Sequence, residues 1–355
     1  MTNKSAKILV INTGSTTTKI ALFENDKPIL NHKFNHTVSA LNRLKNFDEQ
    51  VTYRKNLIDN FLLKAQINKD DIDIYMCRGG LIKPLPSGVY KVDNQMIKDL
   101  KNAKKQHASN LAAVIGTGLS QGTKPVYIAD PVVVDEMHDI ARYAGHKNFK
   151  RISIFHALNH KAVARKHAEK IGKSYETLNL IVVHMGGGIS VGAHYKGRVI
   201  DVNQALDGEG PFSPERSGTL PAGDLVKMSF SGRYSLKQMQ EMIVGKGGLV
   251  SYLDTNNLQE IEQNLTEKSR LVLEAMAYQI AKSIGEMAVV LKGKVDAIIL
   301  TGGVAYSEFI TQHIIDRVRF IAPVFVYPGE DEMQALAYNG LLVYKHQLKP
   351  KTYQT

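Results

Sequence analysis

Short apolar runs, broken by glycine and hydroxyl residues, alternate along this chain with longer stretches whose apolar positions recur at helical spacing. That alternation predicts an α/β protein. The first such runs read ILVINTGSTTTKIALFEN (8–25), two strands around a Gly-Ser-Thr-Thr-Thr-Lys turn. The turn carries enough hydroxyls and amides to hold phosphate, yet it lacks the second glycine and the following helix of a P-loop. The same pattern returns later. Leu9–Ile29 set against Ile181–Ile200 at a constant offset of 172 puts Asn12 on His184, Gly14 on Gly186, Ala21 on Ala193 and Phe23 on Tyr195. The polar breaks Asn25 and Gly197 coincide as well. Each copy predicts strand, tight turn, strand, turn, strand. Two such meanders half a chain apart predict two domains with a related core and a cleft between them.

From Thr266 to Leu291 the residues Leu271, Ala275, Tyr278, Ala281, Ile284 and Ala288 predict one side of a long helix. The next segment, DAIILTGGVAYSEFI (296–310), predicts a buried strand, a Gly302-Gly303 turn and another helix. Those glycines either let the backbone approach a flat or anionic ligand, or serve only a strand-to-helix turn.

Composition narrows the classes. At 355 residues the chain exceeds one ordinary core, which agrees with two domains. The formal charge is +11, but lysines and arginines are dispersed, with only short clusters such as Lys101, Lys104 and Lys105. With no tryptophan and no basic stretch interleaved with aromatics, the charge fits small anionic ligands better than nucleic acid. Cys77 is the sole cysteine, so neither an internal disulfide nor a cysteine-based metal site is expected, as in a reducing cytosol. The N-terminal apolar run is too short for a signal-peptide core and no run approaches a membrane span, so a soluble, cytoplasmic protein is expected.

Seven motifs then occur in order: INTGSTTTKIALF, QHASNLAAVIG, ADPVVVDEM, ALNHKAVAR, HMGGGISV, PERSGTLPAGDL and PGEDEMQALA. Together they resemble the acetate kinase family, within the acetate and sugar kinase/Hsc70/actin superfamily, and LTGGVAYSE resembles that superfamily's adenosine motif. The motif wording and the shortness of the chain are similar to the branch of the family that phosphorylates butyrate. The resemblance implies a two-domain actin-like ATPase (ribonuclease H-like) fold, a duplicated mixed β-sheet core with flanking helices and five strands in each sheet. It places an N-terminal domain at 1–155 joined by a C-terminal segment 336–355, and a second domain at 156–335. It also implies a homo-oligomer, at least a dimer.

The implied reaction is carboxylate plus ATP giving acyl phosphate plus ADP, with Mg²⁺. A carboxylic acid is already ionised at neutral pH and needs no general base. The obstacle is charge: two unit charges about 4 Å apart repel by roughly 4 kcal/mol at an effective dielectric near 20. Catalysis then depends on positioning and on positive groups where charge spreads on the transferring phosphoryl. By resemblance Asn12, Arg78, His107, His160 and Arg216 supply these groups, although Asn12 also suits an Asx turn and Arg78 a structural salt bridge. Gly14, Ser15, Thr16 and Thr17 would form the first phosphate turn, and His184 with Gly186, Gly187 and Gly188 the second. Gly302, Gly303 and Val304 would pack under adenosine, with the KGGLVSYL loop (246–253) along the same wall. Asp130 and Glu332 would serve the metal, Glu330 being the alternative to Glu332. His156 and His160 stand at zinc-pair spacing, but Ala157 occupies the position where a metalloprotease helix needs Glu.

Overall fold

The computed structural model describes residues 5–103 and 106–353, so Lys104 and Lys105 of the basic cluster lie outside the described residues. The chain forms two compact units, Met1–Val134 with Asp331–Thr355, and Asp135–Glu330. The division at 155/156 and 335/336 implied by resemblance stands as a proposal for the domain boundaries.

The first unit is built on strands β1 (Lys7–Thr13), β2 (Thr17–Glu24), β3 (Lys27–Asn35), β4 (Ile74–Arg78), β5 (Val89–Lys91) and β6 (Val126–Ala129). They form one six-stranded sheet in the order β3-β2-β1-β4-β6-β5. The meander β1-β2-β3 is antiparallel, β4 and β6 join in parallel, and short β5 runs antiparallel along the edge. The second unit carries β7 (Asn179–Met185), β8 (Ile189–Tyr195), β9 (Arg198–Val202), β10 (Ala297–Gly302) and β11 (Val324–Pro328), in the order β11-β10-β7-β8-β9. Leaving β5 aside, both sheets have the same order and the same strand directions. The duplicated mixed-sheet α/β core is thus present, with β5 as a sixth strand where five were expected.

The constant offset of the repeat holds only up to the turn. Thr13 pairs with Thr18, but Met185 pairs with Ile189, so the first turn has one residue more. Val10 faces Ala21, and the equivalent Val182 faces Gly192 rather than Ala193. The equivalence therefore slips by one residue after the turn. Asn25 then corresponds to Lys196, and both hold positive φ, 57° and 47°, as tight hairpins require.

The long helix runs over Glu267–Val290, with Thr266 as N-cap in a reciprocal capping box with Ser269. Its buried stripe is Leu273, Met276, Ala277, Ile280, Ala281, Ile284, Met287 and Ala288. The expected face is corrected at two positions, because Leu271 and Tyr278 are 67% and 52% exposed. Both apolar stripes satisfy helical spacing, and packing on the second sheet selects the richer one. In the first unit, the C-terminal helix Glu332–Tyr344 lies on β1 and β4. Gly340 allows this close contact, since a Cβ there would press on the Met76 and Ile8 side chains. The helix N-terminus thereby delivers Glu332 to the end of β1.

Candidate active site

In the first unit, Asn12 is the penultimate residue of β1, β4 ends at Arg78, and Glu332 opens the C-terminal helix. Asn12 Nδ2 donates to Glu332 Oε2 at 2.6 Å, and Arg78 Nη1 donates to Asn12 Oδ1 at 3.3 Å. Arg78 Nη1 also lies 3.5 Å from Glu332 Oε2. Gly79 and Gly80 follow Arg78 because the chain there passes tightly against Pro131 and Asn110. Glu332 joins this cluster, whereas Glu330 stands beside His184 in the second unit. The Glu332 carboxylate and the Asn12 amide oxygen suit Mg²⁺, which accepts one or two protein oxygens and keeps several waters. Asp130, at φ 38°, spends Oδ1 on Ser87 Oγ (2.6 Å) and the Gly88 N–H (2.8 Å), so that oxygen acts as a clamp on the 87–88 loop. Among the described residues no group of three or more His, Cys, Asp or Glu is gathered as a metal site.

The β1–β2 turn exposes Ser15 and Thr16 and is held from behind by Arg54, which is 1% exposed. Arg54 Nη1 donates to Gly14 O (3.0 Å), Thr17 O (2.8 Å) and Thr18 Oγ1 (2.9 Å), and Nη2 to Ser15 O (3.0 Å). In a planar trans peptide the N–H points opposite the C=O. Gathering the Gly14 and Ser15 carbonyls therefore turns the Ser15 and Thr16 N–H groups to the other side, an arrangement suited to an anion. Thr18 Oγ1 also meets His36 Nε2 at 2.9 Å, and burial with the nearby Arg54 charge lowers the His36 pKa to about 4. His107 precedes the Asn110–Ser120 helix; its Nδ1 accepts from the Ser109 N–H at 3.2 Å and lies 2.8 Å from Ser109 Oγ, contacts that a ring proton on Nε2 satisfies. Thr13 Oγ1, at the end of β1, holds this loop through Ala108 O at 2.6 Å.

In the second unit the β7–β8 turn carries Gly186, Gly187 and Gly188, with His184 just before it. His184 Nδ1 lies 2.9 Å from Asn159 Oδ1. Its Nε2 is buried without a hydrogen bond, although Glu330 Oε1 is 3.1 Å away. Arg216 lies along this turn: its Nη1 donates to Ala205 O, and a Cβ on Gly188 would overlap the guanidinium. Ser213 Oγ donates to Gly187 O at 2.6 Å, which joins the Arg216 loop to the turn. The glycines of the KGGLVSYL loop pack on the Ser213–Ser217 backbone, so they support the Arg216 loop instead of lining an open wall.

Two expectations are corrected here. His160 is fully buried, with Nδ1 3.2 Å from His194 Nε2 and Nε2 2.8 Å from Ser190 Oγ, so both nitrogens face other side chains and not a phosphoryl group. His156, one turn earlier and partly exposed, stacks on His184 with ring centroids 3.8 Å apart and meets Ser190 Oγ through Nδ1 at 3.0 Å. Val304 belongs to the hydrophobic core, so its side chain cannot pack under a base. Gly302, at φ 91°, exchanges two backbone hydrogen bonds with Gly329, and only Gly303 faces open space.

Residues 138–324 match the profile of the Acetokinase family. The chain is 51% identical over 353 residues to Butyrate kinase 2 of Clostridium acetobutylicum, covering 98% of this chain and 99% of that protein. It is 51% identical over 352 residues to the Probable butyrate kinase of Phocaeicola vulgatus, with the same coverage. This chain belongs to the acetate kinase family. The acetate kinase of Porphyromonas gingivalis, at 18% identity, shares the family fold with a TM-score of 0.78 over 96% of this chain and all of that one.

For an acetate kinase family chain, the site residues legible in the motifs fall into two groups, each within one unit. The first holds Asn12, Arg78 and Glu332, and the second His184, the glycine turn and Arg216. Arg54 and His156 were missed. Arg54 had a signal, since with Ile58 and Leu62 it occupies the buried i, i+4, i+8 stripe of the Phe47–Lys64 helix, where an arginine requires an explanation. His156 and His160 differ in the sequence by less than their burial does.

Buried histidines also give the protein a pH liability. Burial lowers the pKa of His36, His160, His167 and His194 below the ordinary histidine value. These rings stay neutral when folded but take up protons when unfolded, so stability is present above about pH 6.5 and lost as pH falls below it. Urea unfolding from pH 7.5 to 5 is expected to show a falling free energy. For each extra proton on the unfolded chain the slope is about 1.4 kcal/mol per pH unit. A flat profile would contradict neutral buried rings.

Proposed function

We propose that this chain transfers the γ-phosphoryl group of ATP to the carboxylate of a short-chain fatty acid, with butyrate preferred. The observation that carries this reading is the 51% identity, over nearly the whole chain, to proteins named butyrate kinases. A carboxylate oxygen attacks the γ-phosphorus in line. The new C–O–P bond forms as the bond to the β,γ-bridging oxygen breaks, giving acyl phosphate and ADP. No proton has to move, because the acid is already ionised.

The geometry supports the following roles. Ser15 and Thr16 amides, turned outward by Arg54, would hold phosphate oxygens in the first unit, with Arg78 and His107 Nε2–H adding positive character. Asn12 and Glu332 would hold Mg²⁺, which when bound neutralises and orients the phosphate tail. In the second unit, His184, the glycine turn and Arg216 would meet the phosphates, and His156 in place of His160 would offer an N–H to the transferring group. Gly303 leaves backbone open to adenosine. No described helix is long and apolar enough to cross a membrane. The single cysteine fits a reducing cytosol, and likeness to the acetate kinase family supports a homo-oligomer of at least two chains.

The test is acyl phosphate formation, trapped as hydroxamate, with Mg-ATP and acetate, propionate, butyrate, isobutyrate or valerate. Butyrate is expected to give the highest kcat/KM. Each methylene that fits the pocket is worth about 1–3 kcal/mol, or roughly 10- to 200-fold. A preference for acetate would remove the butyrate assignment and keep the reaction. No product from folded protein with any acid would remove both.

A further inference from the structure

In the second unit five side chains form one unbroken line of hydrogen bonds. Tyr175 Oη lies 2.6 Å from His194 Nδ1, and His194 Nε2 lies 3.2 Å from His160 Nδ1. His160 Nε2 lies 2.8 Å from Ser190 Oγ, and Ser190 Oγ lies 3.0 Å from His156 Nδ1. His160, Ser190 and His194 are 0% exposed, and Tyr175 is buried. Burial above all holds both inner imidazoles in the neutral form, and the Lys161 charge works in the same direction on each.

A neutral imidazole has one N–H and one bare nitrogen, so the proton position on one ring dictates the next. A proton on the His160 nitrogen that meets Ser190 Oγ sets one direction for the whole line. With the proton on Nε2, His160 Nδ1 accepts from His194 Nε2–H, and His194 Nδ1 accepts from the Tyr175 hydroxyl. At the other end, Ser190 receives the His160 proton and turns its own hydroxyl hydrogen to His156 Nδ1. That leaves the His156 proton on Nε2.

We propose that Tyr175, His194, His160 and Ser190 are positioning residues that fix His156 as an Nε2–H donor, so that it is ready to bond the transferring phosphoryl group without first changing tautomer. This rests on the kinase reading for the role of His156, but the relay itself is a property of the protein without substrate. The opposite tautomer would present a bare nitrogen, which repels phosphoryl oxygens. Preorganised donors of this kind reduce the rearrangement needed at the moment of transfer.

Tyr175→Phe tests it by removing one hydroxyl, four hydrogen bonds from His156 Nε2, while keeping the buried ring. In full-length protein with ¹⁵N-labelled histidine, the wild-type His156 is expected to show the Nε2–H signature. Tyr175→Phe should introduce the Nδ1–H form and lower kcat about tenfold, with KM for ATP and butyrate unchanged. Ser190→Ala should do the same, and Ser190→Thr, which restores the hydroxyl, should recover the signature. A His156 signature unchanged in both Tyr175→Phe and Ser190→Ala overturns the relay, as does a changed signature with wild-type kcat. Failure of the wild-type protein to make any acyl phosphate would overturn the kinase reading instead, and the NMR comparison would still judge the relay.

Discussion

Arg216→Ala is expected to lower kcat for acyl phosphate formation about 10³-fold, the range seen when one preorganised transition-state donor or arginine is removed. The guanidinium lies against Gly188 and beside the turn that follows His184. Burial pushes its pKa down, with Glu215 and Asp207 acting in the opposite direction, and an arginine remains charged at neutral pH throughout. It is thus a partly desolvated cation next to the Gly186–Gly188 turn, where a charge acts more strongly than in water. Arg216→Lys keeps the charge but loses the planar fork and should recover only a small part of the rate. Gly188→Ala provides an independent check, because its methyl would displace the guanidinium without removing it. Hydroxamate kinetics on all three variants, alongside thermal unfolding, would decide. An Arg216→Ala kcat within about threefold of wild type would remove the residue from the reaction.

The second large effect falls on Arg54. Arg54→Ala is expected to destabilise the protein by about 3–5 kcal/mol, because it opens a cavity and removes the hydrogen bonds that hold the turn from behind. Its partners are the carbonyls of Gly14, Ser15 and Thr17 and the Thr18 hydroxyl, none of them a carboxylate. Urea unfolding measures that loss. The functional half of the prediction is that Arg54→Lys, which retains a charge but only one point of attachment, weakens ADP binding while adenosine binding is kept. Equal losses for both ligands would mean that Arg54 supports the fold and not the phosphate turn. Wild-type stability in Arg54→Ala would mean that the turn does not need its buried anchor.

The two positions differ in how they could be read from the sequence. Arg216 lies in a Pro-, Gly- and Ser-rich motif whose composition signals a functional loop, so its candidacy was available from the sequence alone. Arg54 lies in the helix FDEQVTYRKNLIDNFLLK, which looks like an ordinary charged surface helix until its buried stripe is known. The same applies to the long helix, where Leu271 and Tyr278 fit the helical period as well as the residues that are buried. Periodicity identifies a helix but leaves open which of two apolar stripes meets the sheet.

Local pattern determined much of this protein. The two strand-turn-strand hairpins, the existence of the long helix and the glycine turns depend on near neighbours, and all were legible without coordinates. The duplication was legible too, although a constant offset concealed the extra residue in the first turn. Tertiary structure decided which chemically equivalent residues could act. It chose Glu332 over Glu330 for the Asn12–Arg78 cluster, since the C-terminal helix packs on β1 and β4. It enclosed His160 and left His156 nearer the surface, a difference of one helical turn that spacing cannot show. The physical reason is common to these cases: burial and hydrogen-bond partners come from segments distant in the chain, while sequence spacing reports only the near ones.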